Sequence, residues 1–162
     1  MSLAPVLQEA KNPILIVVDR IQDPGNLGTI VRLAEAGGVA ALVTVPGTVD
    51  PYHPRAARAS AGSILRVPVA ELPPWETWKQ LVVRHHLRVV VSTPRQGREL
   101  DKTDLKGGLA LVLGNEGEGV SEAWSSSADL RVTIHLGGSV ESLNVTAAAA
   151  ILLYEAARQR RT

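Results

Sequence analysis

The chain contains no cysteine and no phenylalanine. The first absence excludes a disulfide framework and any thiolate metal site. The second, with only three tryptophans and two tyrosines, leaves a core to be built from Val, Leu, Ile and Ala, a composition suited to buried parallel strands under Ala-rich helices. An excess of one charge is also missing: 17 Lys and Arg stand against 16 Asp and Glu, a net charge of +1. Bulk electrostatics therefore do not mark a nucleic-acid binder, and any RNA contact must come from local patches. Gly, Pro or a charge interrupts every apolar run well short of the roughly 18 residues that a membrane span needs. No secretory pattern opens the chain, so no membrane partner and a cytoplasmic location are expected. At 162 residues, one ordinary domain with a sizeable core is expected.

What is present alternates between strand-like and helix-like stretches. Residues 14–18 are a β-branched run; the turn Asp23-Pro24-Gly25-Asn26 follows, then a helical pattern over 27–36 that Gly37-Gly38 stops. Further strands are expected at 41–45, 67–69, 88–92, 109–113 and 132–136, and helices at 55–61, from Pro74 to His85-His86, and at 144–160. This βα alternation predicts an α/β fold with a parallel sheet and helices on both faces.

Three separated stretches concentrate polar residues: Asn26-Leu27-Gly28 with Arg32, then Gly114-Asn115-Glu116-Gly117-Glu118-Gly119, then Glu141-Ser142-Leu143-Asn144-Val145. Each adjoins a strand-like run, and loops at the carboxyl ends of parallel strands gather around the ligand crevice of an open α/β sheet. Taken singly, each has a plainer reading: Asn26, Ser142 or Asn144 as helix caps, Arg32 as a surface residue, and the glycines as turns. The glycine-rich stretch matches neither the dinucleotide spacing nor a phosphate loop, and no Gly-x-Ser-x-Gly elbow marks a hydrolase. His53, His85, His86 and His135 lack metal-ligand spacing, so no metal is expected.

Together the stretches resemble the three motifs of the SpoU (TrmH-type) branch of the SPOUT RNA methyltransferases. The likeness runs from Asp23-Pro24-Gly25-Asn26-Leu27-Gly28-Thr29-Ile30-Val31-Arg32 through Leu111-Val112-Leu113-Gly114-Asn115-Glu116-Gly117 to Ser142-Leu143-Asn144-Val145-Thr146-Ala147. Ala59-Ser60-Ala61-Gly62 resembles the family's intermediate region. The resemblance implies transfer of a methyl group from S-adenosylmethionine to a ribose 2′-hydroxyl of RNA, ribosomal RNA in preference to tRNA. It also implies a homodimer and a C-terminal trefoil knot. A non-catalytic RNA-binding or assembly factor on the same fold is the alternative, because fold does not fix function.

Carried over by position, Asn26, Arg32, Glu116, Ser142 and Asn144 are the catalytic candidates. Thr93, Gly114, Asn115, Gly117, Ile134, Leu136 and Leu143 are the cofactor-binding candidates. A guanidinium is a poor base, so Arg32 is expected to stabilise alkoxide and phosphate, with Glu116 orienting it. The catalytic domain is expected over 13–162, with 1–12 an N-terminal extension or vector-derived residues. Relatives of this type often carry a separate RNA-binding domain ahead of the catalytic one, so the chain is read as a compact enzyme or a catalytic fragment.

Overall fold

Every position of β1 (Ile14–Val18) is buried, because this strand lies inside a sheet covered on both sides. Ile14, Ile16 and Val18 join one apolar cluster and Leu15 and Val17 the other, as alternate side chains of a strand point to opposite faces. In the computed structural model, which describes residues 1–161, β1 is joined by β2 (Ala41–Thr44), β3 (Val69–Glu71), β4 (Leu87–Ser92), β5 (Arg98–Glu99), β6 (Gly108–Leu113) and β7 (Leu130–Thr133). Their order is β3-β2-β1-β6-β4-β7-β5, with every neighbouring pair parallel. The expected parallel α/β architecture is what the chain adopts.

Among the described residues six α-helices flank the sheet: α1 (Leu3–Glu9), α2 (Pro24–Ala36), α3 (Pro54–Ala59), which packs on α2, α4 (Trp75–Arg84), α5 (Glu122–Ser127) and α6 (Val145–Arg160). Leu27, Ile30 and Val31 of α2 and Leu152 and Leu153 of α6 cover one face. Leu3 and Leu7 of α1, Trp78 of α4 and Trp124 of α5 cover the other. Trp124 meets Trp75 and Trp78 edge-on, with ring centroids 5.1 and 5.4 Å away, so all three tryptophans are gathered where α4 and α5 meet. The chain lays β2 and β3 on one side of β1 and then crosses to β4 on the other. Loops following β1 and β6 thus diverge at a switch point, the place where such sheets bind ligands.

The structure departs from the sequence reading at several edges. Helix α2 begins at Pro24, not at residue 27, because Asp23 caps it: the Asp23 carboxylate accepts from the Asn26 amide at 2.8 Å. The third strand starts at Val69 and not at residue 67, because Pro68 has no N–H to give and the Val67 amide turns back to the Ser63 carbonyl. Helix α3 ends at Ala59, before Ala61 and Gly62, which both take positive φ. Strand β7 spans Leu130–Thr133 in place of 132–136. Its neighbours run out: the ladders with β4 and β5 end at Val132 and Thr133. Ile134 and Leu136 are therefore released from the sheet. Helices α1 and α5 and the two-residue β5 were not expected.

Candidate functional site

The site begins where β1 ends. Because α2 is capped by Asp23, Asn26 sits in its first turn with its carboxamide free of capping, and its Nδ2 donates to Glu116 Oε1 at 3.0 Å. Two stretches 90 residues apart in sequence are thereby joined by one hydrogen bond. Gly28 faces α3: a Cβ there would lie 2.2 Å from the Ala56 carbonyl oxygen and 2.7 Å from Ala59 Cβ. The glycine therefore permits the close seating of α3 on α2.

The loop after β6 is built around Asn115. Its Oδ1 accepts from the Gly117 and Glu118 amides at 2.9 and 3.1 Å, and its Nδ2 donates to the Arg20 carbonyl at 2.7 Å. Its main chain exchanges two 2.9 Å hydrogen bonds with Gly119, so Asn115 shapes the cavity wall with every polar group already engaged. At Gly114 a Cβ would lie 2.4 Å from the backbone of Gly119 and Val120; the close approach there is of the loop to itself. Asp19 and Arg20, not singled out in the sequence, anchor the same loop. Buried Asp19 accepts from the Ser121 amide at 2.6 Å, and Arg20, at φ 58°, pairs with Glu118 at 2.7 Å. A charged pair directly after an apolar strand was the available signal.

The third wall is the segment between β7 and α6. Among the described residues, no main-chain hydrogen bond between backbone groups is made by 134–143. Its N–H and C=O groups are therefore open to a ligand or water. Arg95 Nη2 reaches Glu141 at 2.7 Å, linking this segment to the loop after β4. Asn144 is the N-cap of α6: its Oδ1 accepts from the Thr146 amide and hydroxyl at 2.8 and 2.6 Å, which confirms the plainer capping reading and leaves its Nδ2 available.

The loop after β6 and this last segment, with the loop after β4, line a cavity of about 600 Å³ beyond the carboxyl ends of β4, β6 and β7, and Asn26 stands outside its lining, joined to it through Glu116. It gathers all the expected cofactor residues: Thr93 from the loop after β4, Gly114, Asn115 and Gly117 from that after β6, and Ile134, Leu136 and Leu143 from the last segment. Glu116, Ser142 and Asn144 line it too. Val120, Ser125 of α5 and Ala148 of α6 also line it and were missed, Ser125 because α5 itself was. Ile134 and Leu136 are only half-buried and Leu143 is 37% exposed, so apolar surface is left around the opening.

Arg32 is not part of this lining. It is exposed on α2 with no hydrogen bond or ion pair among the described residues. At about 100° per residue it lies roughly 240° around the helix from Asn26. The expectation that Glu116 orients Arg32 is therefore corrected, because the Glu116 carboxylate is held by Asn26. Among the described residues no group of three or more His, Asp or Glu comes together to hold a metal ion, and no helix is long and apolar enough to cross a membrane.

Residues 13–154 match the SpoU rRNA Methylase family. The chain is 36% identical over 159 residues to the 23S rRNA (guanosine-2'-O-)-methyltransferase RlmB of Pasteurella multocida, covering 98% of this chain and 65% of that one. It is 36% identical to the 23S rRNA (guanosine(2553)-2'-O)-methyltransferase RlmP of Bacillus subtilis, covering 86% and 56%. Among solved structures, the SpoU methyltransferase AviRb from Streptomyces viridochromogenes in complex with AdoMet superposes with a TM-score of 0.88 at 31% identity, over 94% of this chain and 60% of that one. The chain thus spans a little over half to about two thirds of the length of these relatives.

Proposed function

Because the chain belongs to the SpoU rRNA methylase family, we propose that it is an S-adenosylmethionine-dependent RNA methyltransferase acting on a ribose 2′-hydroxyl, with 13–162 as its catalytic domain. The observation that carries this reading is the cavity in which the glycine loop and the segment before α6 meet, with Asn26 tied to its rim through Glu116. Its volume falls in the usual range for cofactor sites, roughly 300–1,000 Å³. Open main-chain groups beside Ile134, Leu136 and Leu143 suit an adenosine and a thioether arm. Ribosomal RNA is the preferred substrate, since the relatives RlmB and RlmP act on 23S rRNA; tRNA is the second choice. A non-catalytic factor is disfavoured by the presence of Asn26, Arg32, Glu116 and Asn144.

When bound, S-adenosylmethionine supplies an electrophilic sulfonium methyl group. The chain's own residues supply alignment and charge. Asn26, fixed by Glu116, and the free Nδ2 of Asn144 present donors to the ribose. Arg32 holds the adjoining phosphate and stabilises the oxygen as its proton passes to that phosphate. Ile134, Leu136 and Leu143 exclude water, which keeps the reacting atoms aligned.

The enzyme is also read as a cytoplasmic homodimer whose C-terminal region forms a trefoil knot. The family supports both the pairing and the knot. The pairing is further supported by Ile151 and Tyr154 of α6, which are 38% and 65% exposed, and by the prevalence of two-fold assemblies. A thermal-shift measurement tests the cofactor assignment. S-adenosylmethionine or its demethylated product at about 100 times Kd stabilises a native state by about 2.7 kcal/mol, a rise in Tm of roughly 5–10 °C. NAD and ATP are expected to give none, and a shift with NAD alone contradicts the assignment.

A further inference from the structure

The outer surface of α2 and α3 holds arginines that the cavity does not use. Gly28 seats α2 against α3 at Ala56 and Ala59, and Arg32 follows one turn later on the same side of α2. Glu35, nearly a turn further on, meets Arg66 at 2.9 Å; that guanidinium holds the Glu35 carboxyl down to about 2, so Arg66 is matched by a carboxylate. Arg55 stands 3.7 Å from Asp23, the residue that caps the helix carrying Asn26. Arg58, on the same exposed side of α3 as Arg55, has no carboxylate partner among the described residues.

Tyr52, in the turn that leads into α3, is 61% exposed and outside both apolar clusters. Its turn is stiff. Pro51 and Pro54 fix the backbone around it, its amide donates to Asp50 Oδ1 at 2.9 Å, and His53 Nδ1 accepts from the Arg55 amide at 3.2 Å. The preceding residues are pinned to the β1–α2 loop through Val49 N–H to Ile21 C=O at 2.9 Å. A solvent-facing aromatic ring held on a rigid turn, followed in the chain by the exposed guanidiniums of Arg55, paired with Asp23 only at 3.7 Å, and of Arg58, unmatched among the described residues, suits an unpaired base and its phosphates, since every base offers a face for stacking.

We propose that Tyr52, Arg55 and Arg58 form a docking platform for a single-stranded stretch of the substrate RNA. In it the phenol stacks on a base flanking the modified nucleotide and the guanidiniums hold its phosphates. The proposal rests on the chain being an RNA methyltransferase, and the contacts from Arg55 to Asp23 and from Asn26 to Glu116 run from the platform to the cavity rim.

The test uses protein-free total ribosomal RNA as both ligand and methyl acceptor. Tyr52→Ala is expected to weaken RNA binding and raise KM about tenfold, with the cofactor-induced melting shift intact; Tyr52→Phe is expected to stay within about twofold of wild type. Arg58→Ala is expected to lower the slope of log affinity against log salt by about one. The platform is overturned if Tyr52→Ala binds RNA like wild type. It is equally overturned if light scattering shows that Tyr52→Ala splits a wild-type dimer, which would give the ring to a contact between copies. If wild type itself transfers no methyl group to RNA, the functional reading fails and the platform falls with it.

Discussion

Replacing Arg32 by alanine is expected to lower kcat by a factor of about 10²–10³, the loss that follows removal of one preorganised charge-stabilising group, while cofactor affinity stays as in wild type. The structure separates the two effects. Arg32 lies outside the cavity lining, so its removal takes nothing from the cofactor. It is exposed and without a hydrogen bond or ion pair among the described residues, so folding stability is expected to change little, as for most surface substitutions. Single-turnover rates with saturating RNA, together with calorimetric binding of S-adenosylmethionine, check both halves. A variant that kept its maximal rate but lost cofactor affinity would reverse the role given to Arg32.

Leu143→Asp is expected to do the opposite. Leu143 is 37% exposed on the cavity lining, so a carboxylate there remains hydrated in the free protein and the fold survives. Burying that carboxylate against a ligand without a partner costs several kcal/mol, which corresponds to at least a hundredfold loss of cofactor affinity. The variant should melt close to wild type without ligand and show no shift with S-adenosylmethionine. Normal cofactor binding by Leu143→Asp would remove this segment from the site. Asn26 and Glu116 provide an internal comparison, because their hydrogen bond lies at the rim and their loss is expected to slow methyl transfer to RNA more than to weaken cofactor binding.

How far the sequence disclosed this arrangement depended on where the information lay. The central strands β1 and β6 were legible because both faces are covered, so their runs are apolar throughout. The edges were not: β5 is Arg98–Glu99, with no apolar residue, and α5 is half serine, a composition that favours turns over helices. The alternation of Ile134, His135 and Leu136 resembled the end of a strand, yet these apolar side chains leave the ladder because β7 has no neighbour there. Periodicity reports that a residue is apolar without saying whether protein or ligand will cover it. The residues expected to bind a cofactor came from motif resemblance, and one cavity gathers them. The contact between Asn26 and Glu116 had no local sign, and the anchoring of the glycine loop by Asp19 and Arg20 showed only as a charged pair after an apolar strand. Such long-range polar contacts emerge only when the sheet order brings β1 beside β6.

The central claim, methyl transfer to a ribose oxygen, is tested most directly by the chemistry of the product. The protein is incubated with isotopically labelled S-adenosylmethionine and protein-free ribosomal RNA, and the RNA is then cleaved in alkali. Alkaline cleavage uses the 2′-hydroxyl as its nucleophile, so a methyl group on that oxygen protects the adjoining phosphodiester bond. Label is expected in an alkali-resistant dinucleotide, recovered on the ribose after digestion to nucleosides. Label recovered on a base, with every bond cleaved, would contradict it.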